Sequence, residues 1–165
     1  MILRTLVLAG GLAGSAALSQ FPEFGAQYVQ RLGGAVDALS EVAADFDASA
    51  AAEGLTRDEA LAQMSGAPFV ERRRADMETT FARLDRLGAD LRALEGAGPV
   101  ERLAMIPRMT DPEISAAAMQ AFEPAVPLSP AGLILAGLGF VLGGGLVSSL
   151  TALFCALFAR ARRPA

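Results

Sequence analysis

Few residues in this chain have types and spacings that could do chemistry. Asp45-Phe46-Asp47, with Glu41 nearby, offers carboxylates that could hold a cation loosely. A calcium loop of the EF-hand kind needs a glycine-centred acidic loop of about twelve residues, and none is present. On a helix these acids read as a solvated face. Arg72-Arg73-Arg74 could meet lipid headgroups or an acidic partner, but Glu71, Asp76 and Glu78 surround it. The run therefore reads as an exposed, charge-balanced patch. The chain has no His. That removes His-based acid–base catalysis, His metal sites and His-ligated haem. Ser and Thr without His, and outside the strand–turn–helix setting of a nucleophile elbow, support no nucleophile. Gly143-Gly144-Gly145 lacks a following Lys and is no phosphate loop. Cys155 is the single cysteine, so it forms no intramolecular disulfide and reads as a small packing residue. These residues predict no catalytic, cofactor-binding or metal-binding residue and no cofactor, and the chain reads as a non-enzyme.

The elements that carry these residues are set by where charge is missing. No charged side chain lies between Arg4 and Glu23, and none between Glu123 and Arg160. Arg4, Arg160, Arg162 and Arg163 sit at the ends. The centre therefore holds ten of the 14 basic residues, all Arg, against all 18 acids, a charge of −8. An acidic centre with no basic stripe argues against nucleic acid as a partner. The expected fold class is an all-α membrane protein, with N- and C-terminal transmembrane helices flanking an extracytoplasmic antiparallel helical hairpin. Its segments would be a signal anchor over 1–21, an acidic helical domain over 22–123, a Pro-rich linker over 124–129, a second span over 130–159 and a basic tail over 160–165.

The first apolar run, Thr5 to Pro22, is near the lower length limit for a spanning helix. Cleavage as a signal peptide competes with it, because Ala17-Leu18-Ser19 supplies small residues where signal peptidase acts. Leu12-Ala13-Gly14-Ser15 resembles a lipoprotein signal box with Ser in the place of the required Cys, which excludes lipid attachment there. In the second run Ser129 can N-cap a helix with Pro130 in its first turn, extending to about Phe158. The Arg bias puts both termini in the cytoplasm of a two-span inner-membrane protein, with the centre periplasmic.

Small residues recur on both spans. Gly10 and Gly14 form one GxxxG, and Gly139 and Gly143 another. Gly144, Ser148, Ala152 and Ala156 continue at four-residue steps. Such faces let helix backbones approach in lipid. They fit self-association or docking on another membrane protein. They fit equally the packing of the two spans on each other.

The centre reads as helical throughout. Tyr28, Leu32, Ala35, Leu39, Val42 and Phe46 make a heptad-like, coiled-coil seam that should end near Gly54. Gly33-Gly34 would weaken that helix locally or mark close contact with a partner helix. Thr56 and Glu59 form a capping box for a short helix to about Met64. Ser65-Gly66-Ala67-Pro68 is a break. A second long helix, about Phe69 to Glu95, carries Met77, Phe81, Leu84, Leu87, Leu91 and Leu94 on one face. A short helix around Val100 to Ile106 and another after Thr110-Asp111-Pro112-Glu113 complete the centre. The expected hairpin core is Leu32, Leu39, Phe46, Phe81, Leu84 and Leu91.

Several segments also resemble a known family. They are Leu18-Ser19-Gln20-Phe21-Pro22-Glu23-Phe24, then Gln27-Tyr28, Gln30-Arg31-Leu32-Gly33-Gly34 and Asp45-Phe46-Asp47. Leu55-Thr56-Arg57-Asp58-Glu59-Ala60 and Phe122-Glu123-Pro124-Ala125-Val126-Pro127-Leu128 belong with them. Together they resemble a small bacterial family of unknown function, domain-of-unknown-function family 2937, over nearly the whole chain. The resemblance implies a two-segment bacterial membrane protein and carries over no functional residue. Three classes of function are compatible with these readings. The favoured one is a membrane-anchored interaction protein, an accessory subunit or assembly or scaffold factor whose partners are lipids and another membrane protein or a second copy. The others are an oligomeric transport or channel component and, less favoured, a carboxylate-based envelope enzyme.

Overall fold

The structure is a computed structural model that describes residues 2–122, 124 and 128–161, with side chains to residue 157. The linker expected over 124–129 and the basic tail over 160–165 lie largely outside the described residues. Among the described residues, six α-helices run in the order α1 (Ile2–Ser19), α2 (Phe21–Ala52), α3 (Arg57–Gln63), α4 (Pro68–Glu95), α5 (Pro112–Gln120) and α6 (Pro130–Ala161). A 3-10 helix, Glu101–Arg108, stands between α4 and α5. The described residues contain no strand.

The caps explain the boundaries. Thr56 accepts a hydrogen bond from the Glu59 N–H while the Glu59 carboxylate accepts one from the Thr56 N–H at 2.8 Å, so α3 starts on a full capping box. Ser129 Oγ accepts from the Gly132 N–H at 3.1 Å, with Pro130 opening α6. α2 ends where Gly54 adopts φ +72°. There the Leu55 N–H donates to Ala50 O and the Gly54 N–H to Ala51 O, a Schellman pair that only a residue at ease with positive φ allows. Gly66, at φ +89°, makes the expected break before α4.

The chain divides into two compact units. The first contains the described residues of Met1–Ala26, Pro99–Ala104 and Ala121–Ala165. In it α1 and α6, both long apolar helices, pack together. Leu135 and Ser19 are buried, and Phe24 meets Phe122 edge-on at 6.4 Å. Two helical stretches, Ile2–Ala52 and Pro130–Leu157, are long and apolar enough to cross a membrane.

The second unit is Gln27–Gly98 with Met105–Gln120. One core cluster joins Ala43 of α2, Leu61 of α3 and Met77 and Phe81 of α4, with Phe46, Met64 and Leu84 packed against it. Phe46 and Phe81 meet edge-on at 5.4 Å, a geometry that aligns ring edge with ring face. Tyr28, Leu32, Leu87, Leu94, Ile114 and Ala118 are also buried.

Several expectations need correction. Of the expected core, Leu32 and Phe81 are buried and Phe46 and Leu84 pack half-buried against the core cluster, whereas Leu39 and Leu91 are half-buried outside it. Val42 is 46% exposed and Ala43 takes its place in the core. A straight helix advances 3.6 residues per turn, so a strict seven-residue pattern drifts by about 20° per heptad relative to the buried face. The buried residues 28, 32, 43 and 50 are separated by four, eleven and seven, so the buried line leaves the 28/35/42 register for 43 and 50. Gly33 and Gly34 do not interrupt α2, and a methyl on either would touch nothing within 4 Å. They mark no close contact among the described residues. The short helix expected around Val100 to Ile106 is present as the 3-10 helix Glu101–Arg108, with Pro107 inside it supplying no N–H to an α-helical ladder.

Candidate functional site

Three places in the described residues gather the side chains that sequence reasoning singled out. The first is the α1–α6 contact. Gly14 lies against Gly139, so a Cβ on either would fall on the other's carbonyl oxygen. Gly10 and Gly143 stand in the same relation one helical turn away, where a Cβ on Gly143 would fall on Gly10 O. A Cβ on Gly144 would lie 3.5 Å from Val7 Cγ1. As the number on α1 falls from 14 to 7, its partner on α6 rises from 139 to 144, so the helices run antiparallel. Both GxxxG motifs are therefore spent on one intramolecular seam, where small residues let backbones touch.

Sequence reasoning missed part of this seam. The Phe140 ring lies over Gly11, so that a Cβ there would approach Cε2 to 2.8 Å, and Val147 sits on Gly10. A ring covering a glycine leaves no periodic signal in a sequence. Ser148, Ala152 and Ala156 of the expected small-residue line are exposed and take no part in the seam. The seam turns away from them because contact residues on α6 advance by both three and four, not by four alone.

The second place is an ionic cluster in the second unit. Asp111 is the only strongly buried acid among the described residues, at 3% exposure. Its Oδ1 accepts from Arg83 at 3.2 Å and from the Ile114 N–H at 3.3 Å, and its Oδ2 from Arg86 at 3.3 Å. Arg83 also donates to Glu113 at 2.6 Å. Burial pushes the Asp111 carboxyl up, but the Ile114 N–H, Arg83 and Arg86 outweigh it and hold it below its ordinary value. Burial pushes the Tyr28 hydroxyl up, against the pull of the Asp111 backbone. Arg108 donates to Asp90 at 2.9 Å. The Thr110-Asp111-Pro112 pattern signalled a helix start, and Asp111 does cap α5. Nothing in its spacing signalled Arg83 and Arg86, which lie on another helix. A carboxylate held by two guanidiniums and a backbone N–H is a clamp between α4 and α5.

The third place is the corner between α2 and α3. Arg57 makes a two-pronged bridge to Asp47, with Nε to Oδ1 at 2.8 Å, and its guanidinium carbon lies 4.2 Å from the Phe81 ring centre. The hydrogen bond from Arg57 holds the Asp47 carboxyl below its ordinary value. One arginine thereby ties α2, α3 and α4 together. Glu41 and Asp45, the other two acids of the sequence-level cation candidate, are exposed. No group of three or more His, Cys, Asp or Glu residues among the described residues could hold a metal ion. Arg73 and Arg74 pair with Asp76 and Glu78 along α4, as a balanced surface patch should. Cys155 is exposed on α6.

The family model described as "Protein of unknown function (DUF2937)" matches residues 2–160. No curated protein and no solved structure is significantly similar to the chain.

Proposed function

The chain belongs to the DUF2937 family of proteins of unknown function, and we propose that it is a membrane-anchored, non-catalytic interaction protein. In this reading α1 and α6 span the bacterial inner membrane as a self-paired anchor. The acidic centre is an extracytoplasmic helical hairpin that contacts a partner, as an accessory subunit or an assembly or scaffold factor does.

The observation that carries the reading is how the apolar residues of the first unit divide. The glycines close on one another. Leu6, Leu12, Leu133, Leu142, Leu146, Leu150, Leu153 and Phe154 all stay between 49% and 61% exposed. An apolar surface that large on a polypeptide needs a covering, and lipid acyl chains are the matching one. Neither span carries an ionisable group between Arg4 and Arg160 apart from Cys155, which suits an anchor better than an ion or proton path. The GxxxG faces are already used within the chain and are not free to build a pore from several copies.

For the centre, one electrostatic coupling and one ring contact support an antiparallel hairpin. Tyr28, early in α2, senses Arg86 and Asp90 late in α4, while Phe46, late in α2, meets Phe81 earlier in α4. The charged groups of this unit that are best engaged, Asp111 with Arg83 and Arg86 and Asp47 with Arg57, hold helices together. That suits a scaffold rather than a catalytic pair, which needs a group free to exchange a proton with substrate.

Reporter fusions at Ala165 and at Gly66 test the topology. The Arg-rich ends and acidic centre predict a cytoplasmic signal from the first and a periplasmic signal from the second. A periplasmic signal from Ala165 would sink the two-span arrangement. A mature protein beginning at Gln20 would establish signal-peptide cleavage in its place. Crosslinking in native membranes tests the interaction itself. A single carboxylate substitution that abolished function with folding and all partners intact would overturn the non-catalytic reading.

A further inference from the structure

We propose that the notch at the α2–α3 corner is a docking site for a cationic amphipathic segment of a partner protein. One apolar side chain of that segment would seat in the notch, with Arg or Lys side chains over its rim. This rests on the interaction-protein reading above and assigns that function a surface.

The notch is a cavity of about 190 Å³ lined by Phe46, Ser49, Ala50, Glu53, Leu55 and Met64. It has room for one side chain of Leu or Phe size. Its walls are set by backbone geometry. The Schellman pair at Ala50 and Ala51, made possible by Gly54, folds Leu55 back against the last turns of α2. The capping box of α3 then fixes the helix that carries Met64. Phe46 and Met64 lean on the core cluster from outside, so the floor is continuous with the unit's packed interior. Met64 adds an adaptable thioether wall, a property suited to an anchor of variable shape.

The charge around this apolar floor selects the partner's sign. Residues 45–60 carry Asp45, Asp47, Glu53, Asp58 and Glu59 against the single Arg57. Only Asp47 is bridged by that arginine. Glu53 lines the notch itself, and neither it nor Asp45 has an ion-pair partner among the described residues. The C-terminal turn of α2, with no basic residue in it, adds the negative end of a helix dipole at the same corner. An apolar pocket with an uncompensated negative rim attracts a cationic segment and repels an anionic one. A lipid acyl chain would find the apolar floor, but anionic headgroups would be repelled by the rim.

The test uses the full-length protein in nanodiscs of zwitterionic lipid and a fluorescent helical peptide with a Leu anchor flanked by Arg. Saturable binding is expected, at least about tenfold weaker when the peptide's Leu is replaced by Ser or its Arg residues by Glu, as for removal of a hot-spot anchor or charge. Ser49→Trp, which fills the notch from an exposed position, and Glu53→Arg, which reverses the rim, should each weaken binding by a similar factor. Absence of saturable binding, or binding unchanged by either protein variant or by the Glu-flanked peptide, overturns the proposal. A photocrosslinking residue at Ser49 or at Thr79, used in native membranes, separates this inference from the one it rests on. Partner adducts from Ser49 whose crosslinked segment is basic support the notch. A partner adduct from Thr79 but none from Ser49 keeps the interaction-protein reading and overturns the notch.

Discussion

Gly14 and Gly139 touch backbone to backbone, so that a methyl group on either would occupy the position of the other's carbonyl oxygen. This contact, repeated by Gly10 and Gly143, turns two separate GxxxG motifs into one seam within a single chain. The seam makes the pair of apolar helices a unit before any partner is met, and it leaves the Leu- and Phe-rich surface outward.

Replacing Gly14 or Gly139 with Leu should push α1 and α6 apart. The cost should be at or above the upper end of ordinary overpacking, about 3 kcal/mol, because backbone rather than a movable side chain is in the way. Thermal unfolding in detergent should register it as a lower midpoint. Gly145→Leu is the control, since a methyl there meets nothing within 4 Å, and it should leave the midpoint unchanged. Equal effects from Gly139 and Gly145 would contradict the seam.

Phe81→Ala removes a ring that packs in the core cluster, meets Phe46 edge-on and lies under Arg57. It should cost roughly 3–5 kcal/mol by denaturant unfolding. Leu39→Ala should cost less, about 1–2 kcal/mol, because Leu39 is only half-buried and leaves a smaller cavity. The reverse order would show that the core lies elsewhere on α2.

Asp111→Asn leaves Arg83 and Arg86 without their shared carboxylate. Arg86 is about half exposed and can rehydrate, so the loss should be near 2 kcal/mol rather than the larger cost of orphaning a fully buried charge. Chemical denaturation at neutral pH measures it. A neutral result would mean that the clamp contributes nothing to stability.

The same residue predicts a pH dependence. The Asp111 carboxyl is held below its ordinary value in the folded chain, so the unfolded chain takes up a proton first as pH falls. The stabilisation is complete above the unfolded value of about 3.9 and drains away as pH drops through the folded value. The stability gap between wild type and Asp111→Asn should therefore be constant from neutral pH down to about 5 and narrow below about 4. A gap that narrowed between pH 7 and 6 would point to another group.

Much of the helical layout was legible in the residues themselves, because the signals are local. Thr56 with Glu59, Ser129 with Pro130, Gly54 and Gly66 each mark a helix end through a hydrogen bond or a dihedral set within four residues. The charge-free runs and the membership in an uncharacterised family were equally plain in the chain. Tertiary structure decided what these elements do to one another. It chose Ala43 over Val42 for the core, because the true helical period, not the heptad, sets which residues line up against α3 and α4. It paired Asp111 with Arg83 and Arg86 across helices, a match between residues more than twenty positions apart that no local pattern encodes. And it spent the four glycines of the two GxxxG motifs on each other, whereas the motif alone specifies only that some backbone will come close, never which one.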